Sequence, residues 1–357
     1  VGDVLDLNGC LVMDPSNNNI KITAKSYWSS IADGEDVEKG GVGEILKNRS
    51  ASSRNIYTYL GSNANLYDSS NGFALSNGAI TPTLLGLSSG DTTGRDKIIN
   101  FIHGFDSYDE NMNGNYSEKR EWILGSFIHS RPVVVHYGTT SGSQSILLAG
   151  SNDGMLHAFD NATGEELWAF IPPNFLPNLK NLTGEALQFL VDGAPRVYLE
   201  RKTDGTLDKA ILIFGLRRGG NRYFALDIKT PNSPKLLWEI TPLTTGFGEL
   251  GQTWSTPQLG NIKYGSGEKW VAFIGGGYDE NQDIIPVTAN DTKGRAVYVI
   301  DVLTGSLLWS YSRAQNANMK YSIPSDIARV DTNGDGKVDR LYVGDMGGQV
   351  WRFDIGD

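Results

Sequence analysis

The sequence of 357 residues predicts an all-β protein, and two observations lead to this fold class. First, a unit of short apolar strands recurs along the second two-thirds of the chain. Second, glycine is abundant, with 43 residues, and asparagine, serine and threonine are frequent between the apolar segments. This composition is typical of many short strands joined by tight turns.

Each repeated unit opens with a proline before an apolar segment. These residues are Pro132, Pro195, Pro257 and Pro324, which are 63, 62 and 67 residues apart. Proline is tolerated at the first residue of a strand or on its unpaired side. The prolines therefore mark the point where an inner strand begins.

Further strands follow in each unit, and glycine-rich turns or one insertion at 278–293 separate them. The second strands are predicted at 146–150, 210–215, 270–275 and 341–344. The third strands are predicted at 157–160, 224–227, 298–301 and 351–354. A fourth strand is predicted in three units, at 166–170, 236–240 and 307–311.

Four strands per unit at a period above 60 residues predict a β-propeller with four-stranded blades, long loops and a few short helices. The blades are expected at about 131–171, 194–241, 253–312 and 322–357, the last incomplete. Residues 1–120 are less regular, with a strand predicted at 54–60 and a short helix at 96–102. We expect this segment to brace or complete the propeller formed by residues 121–357.

In the segment 331–339, counted from Asp331 as position 1, positions 1, 3, 5 and 9 carry side chains with oxygen atoms. Position 7 is Lys337, which can offer only its backbone carbonyl oxygen as a ligand. Calcium prefers six to eight oxygen ligands, and positions 1, 3, 5, 7 and 9 of a tight loop can supply them. Gly336 stands at position 6, where the turn is sharp. The predicted calcium ligands are Asp331, Asn333, Asp335, Lys337 through its carbonyl, and Asp339.

The flanks of this loop differ from those of an EF-hand. Position 12 is Tyr342 rather than the bidentate glutamate of an EF-hand, and both flanks read as strands. We therefore expect the ion to close a β-hairpin, with Asp339 as a direct ligand. Such a loop resembles those in the calcium-binding blades of integrin-type propellers. A weaker cation candidate is 109–117, in which Asp109 is the only charged ligand position; a polar turn is favoured there.

Two segments, 158–168 and 299–309, repeat an Asp, a Thr-Gly pair and a Trp at matching positions. They resemble the tryptophan-docking repeat of quinoprotein propellers. That resemblance implies that the Asp and Thr-Gly shape the turn between the last two strands. It also implies that Trp168 and Trp309 wedge between neighbouring blades rather than form a cofactor site.

Nearly the whole chain resembles the PilY-type (PilC-type) type IV pilus biogenesis factors and tip adhesins. The resemblance rests on a set of short motifs at 27–29, 40–43, 54–59, 98–104, 124–132 and 150–160. It implies a modified β-propeller whose calcium occupancy regulates pilus extension and retraction and surface attachment. It also implies an extracellular location at the pilus tip or outer membrane, with pilin or minor pilin subunits and a host or abiotic surface ligand as partners. No Arg-Gly-Asp sequence is present, so integrin binding is not carried over, and the chain is interpreted as part of a longer protein.

Two other functions compete with this one: a quinoprotein-type dehydrogenase and a glycan-binding propeller. The dehydrogenases resemble one another in an adjacent cysteine pair, whereas this chain has only Cys10. The four histidines are scattered, and His129 and His157 are expected to be core histidines, so no enzyme activity is predicted. The net charge of −10 argues against a nucleic-acid partner, and no apolar run is long enough to cross a membrane.

Overall fold

The computed structural model describes residues 4–6, 8–36, 38–184, 186–286 and 290–356. Before the repeated units lie helix α1 (Gly41–Asn48), strand β1 (Ile56–Thr58) and helix α2 (Thr92–His103). The Asp91 carboxylate accepts a hydrogen bond from the Gly94 N–H at the start of α2, and Gly104 ends the helix at φ 110°. The helix predicted at 96–102 is confirmed but begins earlier, the predicted strand at 54–60 is shorter, and α1 was not predicted.

The repeated units form four separate antiparallel sheets, which confirms the predicted strand order in each unit. Blade 1 contains β2 (Val133–His136), β3 (Ser145–Gly150), β4 (Leu156–Asp160) and β5 (Glu166–Ile171). Blade 2 contains β6 (Arg196–Arg201), β7 (Leu207–Gly215), β8 (Tyr223–Asp227) and β9 (Lys235–Ile240). Blade 3 contains β10 (Gln258–Tyr264), β11 (Gly267–Gly275), β12 (Ala296–Asp301) and β13 (Leu307–Ser312). Blade 4 contains β14 (Ala328–Val330), β15 (Arg340–Gly344) and β16 (Val350–Asp354).

The central strands of blades 2 and 3 are buried on both faces. In β7, Leu212 and Phe214 belong to the core shared with blade 1, whereas Ile211 and Ile213 pack with blade 3. Strand β11 alternates in the same way between the cores on its two sides. Because successive side chains of a strand point to opposite faces, the sheets of blades 2 and 3 are each packed between two neighbours. This face-to-face stacking is the arrangement of propeller blades, and the predicted all-β propeller class is confirmed.

The predicted wedging of Trp168 and Trp309 between blades is also confirmed, and Trp238 is placed in the same way. The Trp309 ring of blade 3 lies 5.6 Å from the Phe353 ring of blade 4. The Trp168 indole Nε1 of blade 1 donates to the Pro231 carbonyl of blade 2 at 2.7 Å. The Trp238 Nε1 of blade 2 donates to the Val302 carbonyl of blade 3 at 3.0 Å. The indoles of Trp168 and Trp238 therefore each have a partner for the N–H, while the rings add apolar area to the contact between blades.

A tryptophan from the segment before blade 1, Trp28, packs on blade 1 in the way that Trp168 packs on blade 2. The Trp28 Nε1 donates to the Asn161 carbonyl, in the turn between β4 and β5, at 3.1 Å. Gly164 lies in that turn at φ +74°, and a Cβ built there would be 2.8 Å from the Trp28 ring. Trp28 thus occupies the place on blade 1 that Trp168 occupies on blade 2, although no Thr-Gly repeat identified it in the sequence.

The segment around β1 extends blade 1 beyond its fourth strand. Strand β1 pairs in parallel with β5, with Ile56 opposite Ala169, so that this sheet has five strands. Apolar residues of the same segment, among them Phe73 and Leu85, are fully buried in the core shared by blades 1 and 2. The segment therefore covers the outer edge of blade 1 and contributes to its core.

Candidate functional site

The predicted cation loop at 331–339 connects β14 to β15, so the expected β-hairpin is confirmed. The two strands pair antiparallel, with Ala328 opposite Tyr342 and Val330 opposite Arg340. Gly334 and Gly336 have φ values of +79° and +83°, the left-handed region that favours glycine. The two glycines allow the loop to turn sharply without the strain that a Cβ would cause.

The side-chain oxygens of this loop bind the loop's own backbone. The Asp331 carboxylate accepts hydrogen bonds from the N–H groups of Gly334 and Gly336 at 2.7 and 2.8 Å. The Asp339 carboxylate accepts from the N–H and the hydroxyl of Thr332 at 2.7 and 2.6 Å. Asn333 accepts from the Asp335 N–H at 2.9 Å. These bonds shape the loop around its first and last predicted ligands.

Hydrogen bonding favours the charged form of two loop carboxylates. The N–H of Gly336 is the main cause of the lowered pKa of Asp331. The Thr332 hydroxyl is the main cause of the lowered pKa of Asp339. Both carboxylates are therefore ionised at neutral pH, the state that a divalent cation requires of its ligands.

The donor types of the loop fit calcium, since they are three carboxylates, one amide oxygen and one backbone carbonyl without sulfur or imidazole. The structure places all five predicted ligands in one hairpin loop. It does not draw the carboxylates together around one point: within the described ranges, no group of three or more His, Cys, Asp or Glu side chains is arranged to hold a metal ion. Ligation would require Asp331 and Asp339 to redirect oxygens that now accept amide hydrogens.

The carboxyl-terminal half of the loop is attached to blade 3. The Val338 N–H donates to the Asn261 carbonyl of β10 at 2.8 Å. The Lys337 ammonium lies 3.8 Å from Glu268 of β11 and 3.6 Å from Asp335 within the loop. A change in the loop conformation would therefore act on the contact between blades 3 and 4.

The weaker candidate at 109–117 forms a polar turn. The Asp109 carboxylate accepts from the N–H groups of Asn113 and Gly114 at 2.8 and 3.0 Å. The side-chain amides of Asn111 and Asn113 donate to Glu118 at 2.7 and 2.6 Å. These bonds stay within the loop or reach Glu118, the residue that follows it, as expected of the polar turn that the sequence favoured.

A buried charge network joins β1's segment to blade 1, and the sequence did not reveal it. The Arg54 guanidinium donates through Nε and Nη2 to the two oxygens of Glu166, both at 2.8 Å. His157 lies beyond Glu166, with Nδ1 2.8 Å from its carboxylate and Nε2 3.1 Å from that of Asp153. Because both ring nitrogens face carboxylates, both carry hydrogens and the imidazole is cationic. Two cations and two anions thus balance in the interior.

The two histidines expected in the core differ in their burial. His157 is fully buried, which confirms the expectation of a core histidine. The same expectation for His129 was wrong, because it lies in the loop before β2 and its side chain is 44% exposed. Its Nδ1 is 2.7 Å from the buried Asp192 carboxylate. Cys10 is exposed and unpaired among the described residues.

Comparison with known families matches residues 135–357 to the PilY1 β-propeller domain. The type IV pilus biogenesis factor PilY1 of Pseudomonas aeruginosa (strain UCBPP-PA14) is 32% identical over 349 residues, covering 88% of this chain and 28% of that protein. A PilY1 homolog of Xylella fastidiosa (strain Temecula1 / ATCC 700964) is 29% identical over 314 residues, covering 74% of this chain and 20% of that protein. The chain thus spans about a quarter of the length of these curated relatives.

Among solved structures, the crystal structure of the Pseudomonas aeruginosa PilY1 C-terminal domain is similar to this chain. The sequence identity is 33%, and the match covers 59% of this chain and 39% of that domain with a TM-score of 0.45. In the described part of the chain, no helix is both long and apolar enough to cross a membrane.

Proposed function

Since this chain belongs to the PilY1 β-propeller domain family, we propose that it is the calcium-binding propeller of a type IV pilus assembly and tip-adhesion protein. The similarity of most of the chain to type IV pilus biogenesis factors supports the assignment to pilus assembly. The proposed location is the outer surface of the bacterium, at the pilus tip or the outer membrane. The proposed partners are pilin or minor pilin subunits and a surface to which the pilus attaches.

The observation that carries the calcium proposal is the oxygen-rich loop between β14 and β15. Three carboxylates within nine residues repel one another when they are ionised, and a divalent cation removes that repulsion. The ligands would be Asp331, Asn333, Asp335, the carbonyl of Lys337, and Asp339.

Calcium occupancy is proposed to regulate pilus extension and retraction through the contact between blades 3 and 4. The loop is tied to β10 by the Val338 bond to Asn261, so its two conformations would differ in how they hold that neighbour. A cation can shift such an equilibrium only by binding one conformation more tightly than the other. Here the difference is whether Asp331 and Asp339 accept hydrogen bonds from the loop or coordinate the ion.

Calorimetric titration of calcium into the purified chain tests the site. Asp331→Ala and Asp339→Ala each remove one anionic ligand and are expected to weaken binding at least tenfold, about 1.4 kcal/mol. Asp204→Ala is the matched control, because Asp204 is an exposed carboxylate that also accepts from the N–H and hydroxyl of a nearby threonine. Undiminished calcium affinity in both loop variants would exclude this loop as the site.

A further inference from the structure

A cavity of about 470 Å³ lies where the segments that lead into the four inner strands meet. Every blade contributes to its wall: Arg131 comes from blade 1, Arg196 from blade 2, Thr256 from blade 3 and Asp326 from blade 4. The volume is within the range of roughly 300–1,000 Å³ that is usual for small-molecule sites. The position of the cavity is therefore fixed by several blades rather than by one mobile loop.

The wall of this cavity carries arginines whose charge is not neutralised. Among the described residues, the guanidinium groups of Arg131 and Arg196 have no hydrogen bond or ion pair. Burial and, to a lesser extent, the positive charge of Arg196 lower the pKa of the Arg329 guanidinium. Such an arrangement is unfavourable unless water or an anion solvates the guanidinium groups.

A third arginine in the wall is held in a fixed orientation. The guanidinium carbon of Arg217 lies 4.4 Å from the centre of the Trp254 ring, and its Nη1 lies 3.9 Å from the Asp192 carboxylate. Arg217 also has a left-handed backbone, with φ +54°, a conformation that costs energy for a residue with a Cβ. The ring and the carboxylate together keep this guanidinium at the cavity.

The two nearby carboxylates already bind other donors. Asp192 accepts from the His129 ring at 2.7 Å and from the His129 N–H at 3.2 Å. Asp326 accepts from the Thr256 N–H at 2.7 Å. Three arginines thus lie near two carboxylates that already accept hydrogen bonds from other groups. Positive charges therefore outnumber negative ones at this cavity, although the net charge of the chain is −10.

We propose that this cavity binds an oxyanion, a carboxylate or phosphate group, through the guanidinium groups of Arg131 and Arg196. Guanidinium presents a planar fork of N–H donors that matches two oxygens of either group, and the bonds are strengthened by charge. Thr256 and Trp254 also line the cavity. The group could belong to a free small acid, to a phosphorylated molecule or to an acidic side chain of a protein, and the oxyanion chemistry is common to all three.

Calorimetric titration at constant ionic strength, with chloride as the background anion, tests this proposal. Citrate, inorganic phosphate and hexaglutamate serve as probes of the three sources. At least one is expected to bind saturably, and Arg131→Ala/Arg196→Ala should weaken that binding at least tenfold. The probe that binds identifies the source of the oxyanion.

Two further variants make the result specific. Lys202→Ala/Arg352→Ala removes two exposed cations outside the cavity and should change the affinity less than twofold. Arg131→Lys/Arg196→Lys keeps both charges without the planar fork, and a loss of at least threefold is expected even if the alanine pair does not fold. The proposal is overturned if no probe binds above the chloride background, or if the cavity variants bind as tightly as the wild-type chain.

Discussion

The guanidinium of Arg54 and the carboxylate of Glu166 form a paired hydrogen bond in the interior, although 112 residues separate them along the chain. Their side chains are 1% and 0% exposed. Burial disfavours the charged form of both groups, but the attraction and hydrogen bonds between them outweigh burial. The pKa of Arg54 is therefore raised and that of Glu166 is lowered. The pair therefore attaches the segment before blade 1 to the outer strand of that blade.

Arg54→Met is expected to destabilise the chain by about 3–5 kcal/mol, because Glu166 would remain buried without its main cation. Arg54→Met/Glu166→Leu should recover part of this loss, since neither charge then remains. Urea unfolding followed by tryptophan fluorescence gives both values. Arg352→Met is the control, because its ion pair with Asp354 is exposed to solvent and contributes little to stability. Equal effects of Arg54→Met and Arg352→Met would contradict the role given to the buried pair.

The stability of the chain is expected to fall as the pH rises from about 6.5 through about 9. Burial disfavours the charged imidazole of His157, but Asp153 and Glu166 outweigh burial and raise its pKa to about 9. A raised pKa contributes stability that is complete below the unfolded-state value of about 6.5 and is lost above the folded-state value. The contribution is about 3 kcal/mol.

Unfolding free energies of the wild-type chain and His157→Gln at several pH values between 6 and 10 test this dependence. The difference between the two proteins isolates His157 from other groups that titrate in the same range. It should be largest near pH 6 and should shrink toward pH 10. A difference that is constant with pH would show that His157 is neutral in the folded chain.

Gly164→Ala is expected to destabilise the chain by about 2–4 kcal/mol. Its left-handed backbone costs about 1–2 kcal/mol for any other residue, and the new methyl group would overlap the Trp28 ring and the Ile45 side chain. Gly265→Ala is the matched control, because Gly265 has φ +60° and no atom within 4 Å of an added Cβ. If thermal unfolding showed the same loss for both variants, Trp28 would not be packed on this turn.

Pilus function should respond to the charge of the calcium loop, a prediction that rests on the proposed function. Asp339→Ala should leave the parent bacterium in the calcium-free state, with altered numbers of surface pili and altered twitching motility. Asn333→Lys places a positive charge among the carboxylates and should behave partly as the calcium-bound state. Pili are counted by electron microscopy at matched protein levels. Wild-type behaviour of both alleles would mean that the loop has no regulatory role.

Most strands could be predicted from the sequence because their signals are local. The apolar run and the Asp-Thr-Gly turn before Trp168 or Trp309 lie within about a dozen residues of each other. Trp28 has no such neighbours, and its partner turn at Asn161 is 133 residues away. The parallel pairing of β1 with β5 could not be predicted either, because the two strands are far apart along the chain. A strand of three residues also gives no indication of its partner.

The candidate site shows the same limit. The hairpin and its five ligand positions follow from the spacing of residues between 331 and 339. The attachment of the loop to Asn261 cannot be predicted from that spacing, because it depends on how blades 3 and 4 pack. The cationic cavity is similarly assembled from residues that begin different blades. Arg131 lies in the 124–132 motif, but nothing in the sequence places it beside Arg196 or Arg217.

The parallel addition of β1 to β5 also determines the order in which the chain can fold. Ile56 has no strand partner until Ala169 has been synthesised, and Arg54 has no counter-ion until Glu166 follows. Phe73 and Leu85, which are fully buried in the folded chain, cannot be covered by blade 1 before then. Contacts between residues so far apart along the chain form slowly, because a long loop must close first. Blade 1 can therefore be completed only after synthesis has passed Ala169, although its amino-terminal strand is among the first parts of the chain to be made.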